Sequence, residues 1–264
     1  MFSLRLAPRL NELVSPVQNA FIPGRSLHDN FMLVRQSARL LHQLGEPRVL
    51  LKLDLAKAFD SVSWPFLFEV LGRYGFSERF LGWLAILLSS ASTKVLLNGA
   101  PGPPIWHRRG LRQGDPLSPQ LFVLAVDALG RLFRRAMELN ILRPLHPRRV
   151  IPVISLYADD VILFCHPSPE DTLAVKEILQ LFGRASGLRV NFQKSTATLI
   201  RCDMDLAAPV LANLTCPIVD LPITYLGIPL TIRRPTAAQL QFLVDKTAGK
   251  LPTWKAHLMD KVNG

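Results

Sequence analysis

Apolar residues along this chain repeat with two periods. Unbroken runs at residues 150–156 and 161–165 are rich in Val, Ile, Leu and Phe and too short for typical helices, so they predict the two strands of a hairpin. A similar run over residues 49–60, V-L-L-K-L-D-L-A-K-A-F-D, predicts a strand that ends in a turn. Residues 188–192 and 197–202 predict strands on either side of Lys194, and residues 93–97 and 105–107 predict short strands around an Asn98-Gly99 turn. Helical spacing marks residues 31–44, 78–89 and 169–184, and a helix that Ser63 caps, with Trp64-Pro65 in its first turn and Tyr74 near its end. The longest helix is predicted from Ser118 as N-cap and Pro119 as first helical residue to Glu138. Its buried stripe would be Phe122, Ala125, Val126, Leu129, Leu132, Phe133 and Ala136. Residues 1–14 predict another helix, with Leu4, Leu6, Leu10, Leu13 and Val14 on its apolar side; an organelle-targeting peptide carrying Arg5 and Arg9 is the lesser alternative. Antiparallel hairpins covered by helices make an α+β fold, without an internal repeat.

Charge embedded in apolar strands breaks this pattern. Tyr157-Ala158-Asp159-Asp160 puts two adjacent carboxylates at the hairpin tip. Ionised carboxylates beside an apolar sheet repel each other and lose hydration unless a cation compensates them, and a hard divalent metal is the natural partner. The plain alternative is a solvated turn, since Asp is a common turn former. Asp54 repeats the anomaly within residues 49–60, near Lys52 and Lys57. A salt bridge would explain it as structure. The functional reading pairs Asp54 with Asp159 to hold two divalent ions about 3.5–4 Å apart, as in-line phosphoryl transfer requires. Asp60, following Phe59 in the turn, reads as structural.

The third signal is the loop R-G-L-R-Q-G-D-P-L-S-P at residues 109–119, where Gln113-Gly114 sets a polar side chain beside a residue that lets a ligand approach the backbone. Arg131, Arg134 and Arg135 lie near the end of the following helix and suit its dipole without any ligand.

The chain carries 31 basic and 20 acidic residues, a net charge of +11. Residues 101–150 hold +6 of that excess, with nine arginines and no lysine, whereas residues 151–200, with the paired aspartates, come to −1. A basic frame around an acidic centre suits a protein that binds nucleic-acid phosphates and holds metals. Arginine favours contacts to the phosphate backbone over sequence readout. No apolar run reaches 18 residues, so no membrane span is expected, and an intracellular, nuclear or cytoplasmic location follows as an expectation. Cys165, Cys202 and Cys216 are scattered without metal-ligand spacing. Cys165 reads as a core thiol, and nothing points to structural zinc.

In this order the pieces resemble a reverse transcriptase of the LINE type (non-LTR retrotransposon), most like those of plant genomes. Gln18-Asn19-Ala20-Phe21-Ile22-Pro23-Gly24-Arg25-Ser26 matches the family's fingers motif, and Asp54 with Phe59 its first palm motif. Residues 110–119 match the second, Tyr157 to Asp160 the third, Ser186-Gly187-Leu188-Arg189-Val190-Asn191 with Lys194-Ser195 the fourth, and Tyr225-Leu226-Gly227-Ile228-Pro229-Leu230 the fifth. The resemblance implies the fingers and palm of a right-handed polymerase over residues 1–230, with an antiparallel palm sheet, and the start of a truncated thumb over 231–264.

The resemblance also implies roles. Asp54, Asp159, Asp160 and the Leu55 carbonyl would hold two Mg2+ ions, with Mn2+ a possible substitute. Lys194 would protonate or neutralise departing pyrophosphate; otherwise it is a surface lysine. Phe59 would lie under the incoming sugar and exclude a 2′-hydroxyl; otherwise it is a core ring. Tyr157, Gln113 and Gly114 would line the nucleotide and template pocket, and Tyr225, Leu226 and Gly227 would grip the primer end. Arg25 would contact a phosphate, or else be a solvated loop arginine. The implied partners are an RNA template, a DNA primer and dNTPs, with no membrane and an open oligomeric state. The segment G-K-L-P-T-W-K-A-H at residues 249–257 resembles the entry to the thumb, but residues 258–264 depart from the family's Ala-Gly-Arg pattern. That departure keeps open an inactive remnant that only binds nucleic acid. A viral-type RNA-dependent RNA polymerase shares the palm chemistry, and Phe59 argues against it.

Overall fold

The computed structural model describes residues 2–248. Helices α1 (Phe2–Leu6) and α2 (Leu10–Leu13), joined by one 3-10 turn, lead to α3 (Leu27–Leu44) and β1 (Arg48–Asp54). Helices α4 (Ala58–Ser61), α5 (Trp64–Arg73) and α6 (Glu78–Ser89) precede four two-residue strands, β2 (Ser92–Thr93), β3 (Leu96–Leu97), β4 (Ala100–Pro101) and β5 (Ile105–Trp106). Then come α7 (Ser118–Glu138), β6 (Ile154–Tyr157), β7 (Asp160–Cys165), α8 (Pro169–Ser186), β8 (Thr196–Ile200) and α9 (Met204–Leu211). The chain divides after Val219 into two compact units, and the second holds β9 (Ile223–Tyr225), β10 (Ile228–Leu230) and α10 (Ala237–Ala248). The thumb entry expected from residue 249 onward lies outside the described residues.

A four-stranded sheet in the order β6-β7-β1-β8 organises the first unit, and every pairing in it is antiparallel. Val49, Leu50 and Leu51 are all fully buried, so both faces of β1 are covered. α3 and α7 pack on β6, α8 on β7, and α9 on β8. At 25–30 cal/mol per Å2, this two-sided burial of Val, Leu, Ile and Phe is the main force holding the sheet. Toward the end of β1 the cover gives out, and Lys52 and Asp54 become partly accessible.

Local signals set the helix ends. Ser26, Ser63, Ser77 and Ser168 accept from the amides of Asp29, Phe66, Phe80 and Asp171, each satisfying a donor the first turn leaves open. Asn98 and Gly99 both have positive φ, 49° and 82°, and close the β3–β4 hairpin.

Several expectations need correction. Ser118 does not cap α7: it is the first helical residue, the N-cap position falls on Leu117 without a side-chain cap bond, and Asp115 closes the turn just before it, its Oδ1 accepting from the Leu117 amide and its carbonyl from Ser118. A carboxylate beside a helix N-terminus also suits the dipole. α7 is buried on nearly all sides from Gln120 to Asp127, a broader surface than the predicted stripe, because elements pack around it; Leu132, expected within, is only half-buried. The strand expected at 150–156 shrinks to β6, since Val150 is fully exposed and Pro152 offers no amide donor. Residues 188–192 make a single bridge, Leu55 to Val190, before turning. The expected 93–97 strand splits, with β2 pairing β5 and β3 pairing β4. Leu4 faces solvent, while Leu6, Leu10 and Val14 are buried as expected.

Candidate active site

The sheet brings Asp54 opposite Asp160. They are direct cross-strand partners at the end of the β1–β7 ladder, following Leu50–Phe164 and Lys52–Ile162. Partners in an antiparallel pair project to one face, so the two carboxylates share a side, with Lys52 two residues behind Asp54 on it. Tyr157 pairs with Asp160 across the β6–β7 hairpin, which leaves Ala158 and Asp159 as its two-residue loop. Ala158 takes the left-handed conformation, φ 54°, and Asp159 at the tip is exposed.

Like charges placed directly opposite on a sheet destabilise it. The strain registers on Asp160, whose carboxyl is held above its ordinary pKa. Burial is the main cause and the charges of Asp159 and Asp54 add to it, against a partial offset from Lys52. Among the described residues no three His, Cys, Asp or Glu side chains lie close enough to hold a metal ion by themselves. The arrangement is a facing pair, Asp54 and Asp160, with a third acid, Asp159, at the adjacent tip. Such a set of hard oxygen donors fits a magnesium-like cation, which usually takes one or two carboxylates and completes its shell with water and substrate phosphates. The bridge to Val190 runs through the Asp54 carbonyl and the Ala56 amide, not through the Leu55 carbonyl.

Three distant segments fix this acidic end. Asn191 donates its amide to the Asp54 carbonyl (2.8 Å), while the Asp54 amide donates to Ser195 Oγ (3.0 Å), whose hydroxyl in turn donates to the Asn191 carbonyl. The 191–195 turn thus grips both backbone polar groups of Asp54. On the other side, residues 17–19 run along β6: Leu156 donates to Val17 and receives from Asn19, and fully buried Gln18 accepts from the Ala158 amide. Finally, the 109–114 loop lies on the turn after Asp54. Leu111 donates to the Phe59 carbonyl (2.7 Å), Gly110 to Val62 (2.8 Å), and Trp64 Nε1 to the Gly110 carbonyl (2.8 Å). Gly110 has φ 83°, and a Cβ there would sit 2.7 Å from the Asp60 carbonyl oxygen, so the close approach requires glycine.

The other predicted residues fall as follows. Phe59 is half-buried, its ring stacked on fully buried Phe122 at 4.4 Å. Gln113 and Gly114 are exposed, Gly114 with open space where a side chain would be, and Gln113 Nε2 donates to Asp60 Oδ1 at 3.4 Å. Lys194 is exposed on the 191–195 turn. Tyr157 is half-buried next to the acidic tip. Tyr225 is buried in the second unit, where Leu226 and Gly227, with φ 50° and 77°, form the tight turn between β9 and β10.

Arg25 is the clear departure. Its guanidinium donates to the carbonyls of Ser15 (2.7 Å), Gln18 (2.6 Å), Val14 (3.1 Å) and Asn11 (3.4 Å), and to Asn11 Oδ1 (3.2 Å). All five of its donors are thus engaged by helix α2 and the loop that follows it, a structural tie where a phosphate contact was expected. Ser195, Gln18 and Gly110 were missed as site residues. Each sits inside a recognised motif, but what it holds is visible only across a large sequence separation.

Cys165 and Cys216 are buried thiols, their pKa values pushed up by burial to about 12 and about 11, which keeps them inert. Among the described residues no helix is long and apolar enough to cross a membrane.

Residues 1–230 match the family model for reverse transcriptase (RNA-dependent DNA polymerase). A Xenopus laevis relative, the transposon TX1 uncharacterized 149 kDa protein, is 32% identical over 96% of this chain. The Pol polyprotein of the type-2 retrotransposable element R2DM of Drosophila melanogaster is 29% identical over 72% of it. The chain spans only 19% and 17% of those two proteins. The uncharacterized mitochondrial protein AtMg01250 of Arabidopsis thaliana is 46% identical over 25% of this chain, which covers 55% of it. Among solved structures, a Candida albicans telomerase in complex with a fragment of telomeric RNA superposes with a TM-score of 0.57 at 15% identity, over 90% of this chain and 39% of its own. At that identity the likeness speaks for the fold, and it agrees with a fingers-and-palm arrangement around an antiparallel sheet. With acids facing across the central strands of that sheet and the family model spanning its whole first unit, the chain belongs to the reverse transcriptases, the RNA-directed DNA polymerases, as a domain of the non-LTR retrotransposon kind.

Proposed function

We propose that this chain extends the 3′-hydroxyl of a DNA primer with dNTPs along an RNA template. The observation that carries the reading is the register that faces Asp54 with Asp160 beside the Asp159 tip. Asp54, Asp159, Asp160 and the Leu55 carbonyl would hold two Mg2+ ions (or Mn2+), which when bound neutralise the charge of the transferring phosphate and lower the pKa of the attacking hydroxyl. The primer oxygen forms its bond to the α-phosphorus as the bond from that phosphorus to the β-phosphate oxygen breaks, and the hydroxyl proton passes to solvent. Lys194, exposed on the turn that grips Asp54, neutralises or protonates the departing pyrophosphate. Phe59, braced by Phe122, lies under the sugar and disfavours ribonucleotides. Tyr157, Gln113 and Gly114 line the nucleotide and template pocket, and Tyr225, Leu226 and Gly227 hold the primer end. Positioning and charge neutralisation supply most of the acceleration.

In this reading residues 1–230 are fingers and palm, residues 231 onward begin a thumb, the element is of plant type, and the protein acts in the nucleus or cytoplasm. The basic excess of residues 101–150 supports a polyanionic partner. The test is dTTP incorporation on poly(rA)/oligo(dT) with Mg2+, beside an Asp159→Ala, Asp160→Ala variant. Incorporation should fall by about a thousandfold or more when both carboxylates are lost. Equal signal from the two proteins refutes the site, and salt-sensitive binding of the hybrid without incorporation assigns a binding-only role.

A further inference from the structure

The fingers motif has no assigned contact with the chemistry, yet it is built against the catalytic turn. Residues 15–20 form a strap along the outer edge of β6. Leu156 donates to the Val17 carbonyl (2.8 Å), and Asn19 and Asn30 Nδ2 both donate to the Leu156 carbonyl (3.1 and 3.0 Å). The strap is anchored at its start by Asp127, a fully buried carboxylate of α7 that receives the amide and the hydroxyl of Ser15, the Tyr74 hydroxyl (2.7 Å) and Arg131 Nε (2.8 Å). Arg25 ties its Ser15 and Gln18 carbonyls together from the following loop.

From this fixed base the Gln18 side chain, also fully buried, reaches the acidic turn. Its Oε1 accepts from the Ala20 amide (2.9 Å) and from the Ala158 amide (3.2 Å). The assignment of oxygen and nitrogen follows from these two donors, because a flipped amide would set N–H against N–H. Nε2 finds no partner among the described residues, so the bonds through Oε1 fix how the side chain lies. Ala158 is the residue forced into the left-handed region, at φ 54°, where a Cβ is sterically disfavoured. Asp159 follows it directly.

We infer that Gln18 is a positioning residue: by accepting the Ala158 amide it holds the strained turn from which Asp159 and Asp160 project. The inference rests on the polymerase reading above and adds to it the element that sets the acidic tip. Two readouts keep them apart, amide exchange at Ala158 by NMR and steady-state dTTP incorporation on poly(rA)/oligo(dT). Gln18→Met keeps volume and removes the acceptor; Gln18→Asn keeps an amide and withdraws its reach, and serves if the first variant does not fold. In either variant the Ala158 amide should exchange about tenfold faster, and kcat should fall by about tenfold with KM for dTTP within about twofold, the effect of roughly one hydrogen bond. Adding Ala158→Gly, which removes the steric reason for the strain, should restore part of the lost kcat. Unchanged Ala158 exchange overturns the inference, as does a loss that Ala158→Gly leaves untouched. If the unaltered protein fails to incorporate dTTP, the polymerase reading falls, and the exchange result alone decides the role of Gln18.

Discussion

The two ends of the β1–β7 ladder are built from the same strands to opposite specifications. In its middle, Leu50 faces Phe164 and Leu51 faces Leu163, all essentially inaccessible to water, and helices cover both faces. At its end Asp54 faces Asp160, whose ionisation opposes the fold, because burial and then the neighbouring charges of Asp159 and Asp54 disfavour its carboxylate. Stability is made in one half of the ladder and spent in the other. The acidic end persists because its backbone is tied by Asn191, Ser195 and Gln18, and because the buried middle fixes the register. A slip of one residue would turn every buried side chain outward.

Four substitutions would break or sharpen this contrast. Leu163→Ala in the middle should cost about 2–5 kcal/mol and lower the thermal midpoint by roughly 5–15 °C, read by differential scanning calorimetry. Gly110→Ala should cost about 1–3 kcal/mol, since it adds a contact with the Asp60 carbonyl to a positive φ; denaturant titration would show a lower midpoint with an unchanged slope. Ser195→Ala, at the grip on Asp54, should cost only about 1 kcal/mol of stability. Its incorporation rate should fall further than that loss of folded protein explains, which measuring both quantities on one preparation would reveal.

Asp160→Asn should be the smallest change in stability and the one of opposite sign, raising the midpoint by about 1–3 °C at neutral pH while activity is lost. Because the folded-state pKa of Asp160 lies above its unfolded value, its ionisation opposes folding. That penalty is absent below the ordinary value of 3.8 and grows as pH rises through the raised one. The stabilisation by Asp160→Asn should therefore vanish in acid, and a constant gain from pH 3 to 8 would refute the electrostatic account.

Local physics made much of this legible in the sequence. The helix at 78–89 and the Asn98-Gly99 turn stand as expected because spacing, capping and turn chemistry are properties of a few neighbouring residues. The cost of charge in apolar runs pointed to Asp54 beside Asp159 on a neighbouring hairpin; the register sets Asp160 opposite Asp54, with Asp159 next to it at the tip. What escaped depends on distant partners. Ser118 does not cap α7, because the turn that Asp115 closes ahead of the helix already brings Ser118 into its first turn. Residues 188–192 have strand-like composition but a single bridge, because Asn191 already turns the chain to hold Asp54. Arg25 reads as a free cation in sequence, and only the fold shows carbonyls converging on it. The roles of Lys194, Phe59 and the Tyr225-Leu226-Gly227 turn rest on the proposed function.

The double hold of the 191–195 turn on Asp54 has a consequence for how the molecule comes into being. Synthesis on the ribosome is vectorial, so β1 emerges well over a hundred residues before the segment that clasps its acidic end. Until Ser195 has cleared the exit tunnel, the partners this fold gives to the Asp54 amide and carbonyl are not both in place. The acidic end is therefore among the last parts of a nascent copy to be fixed, after its hydrophobic layers have begun to close.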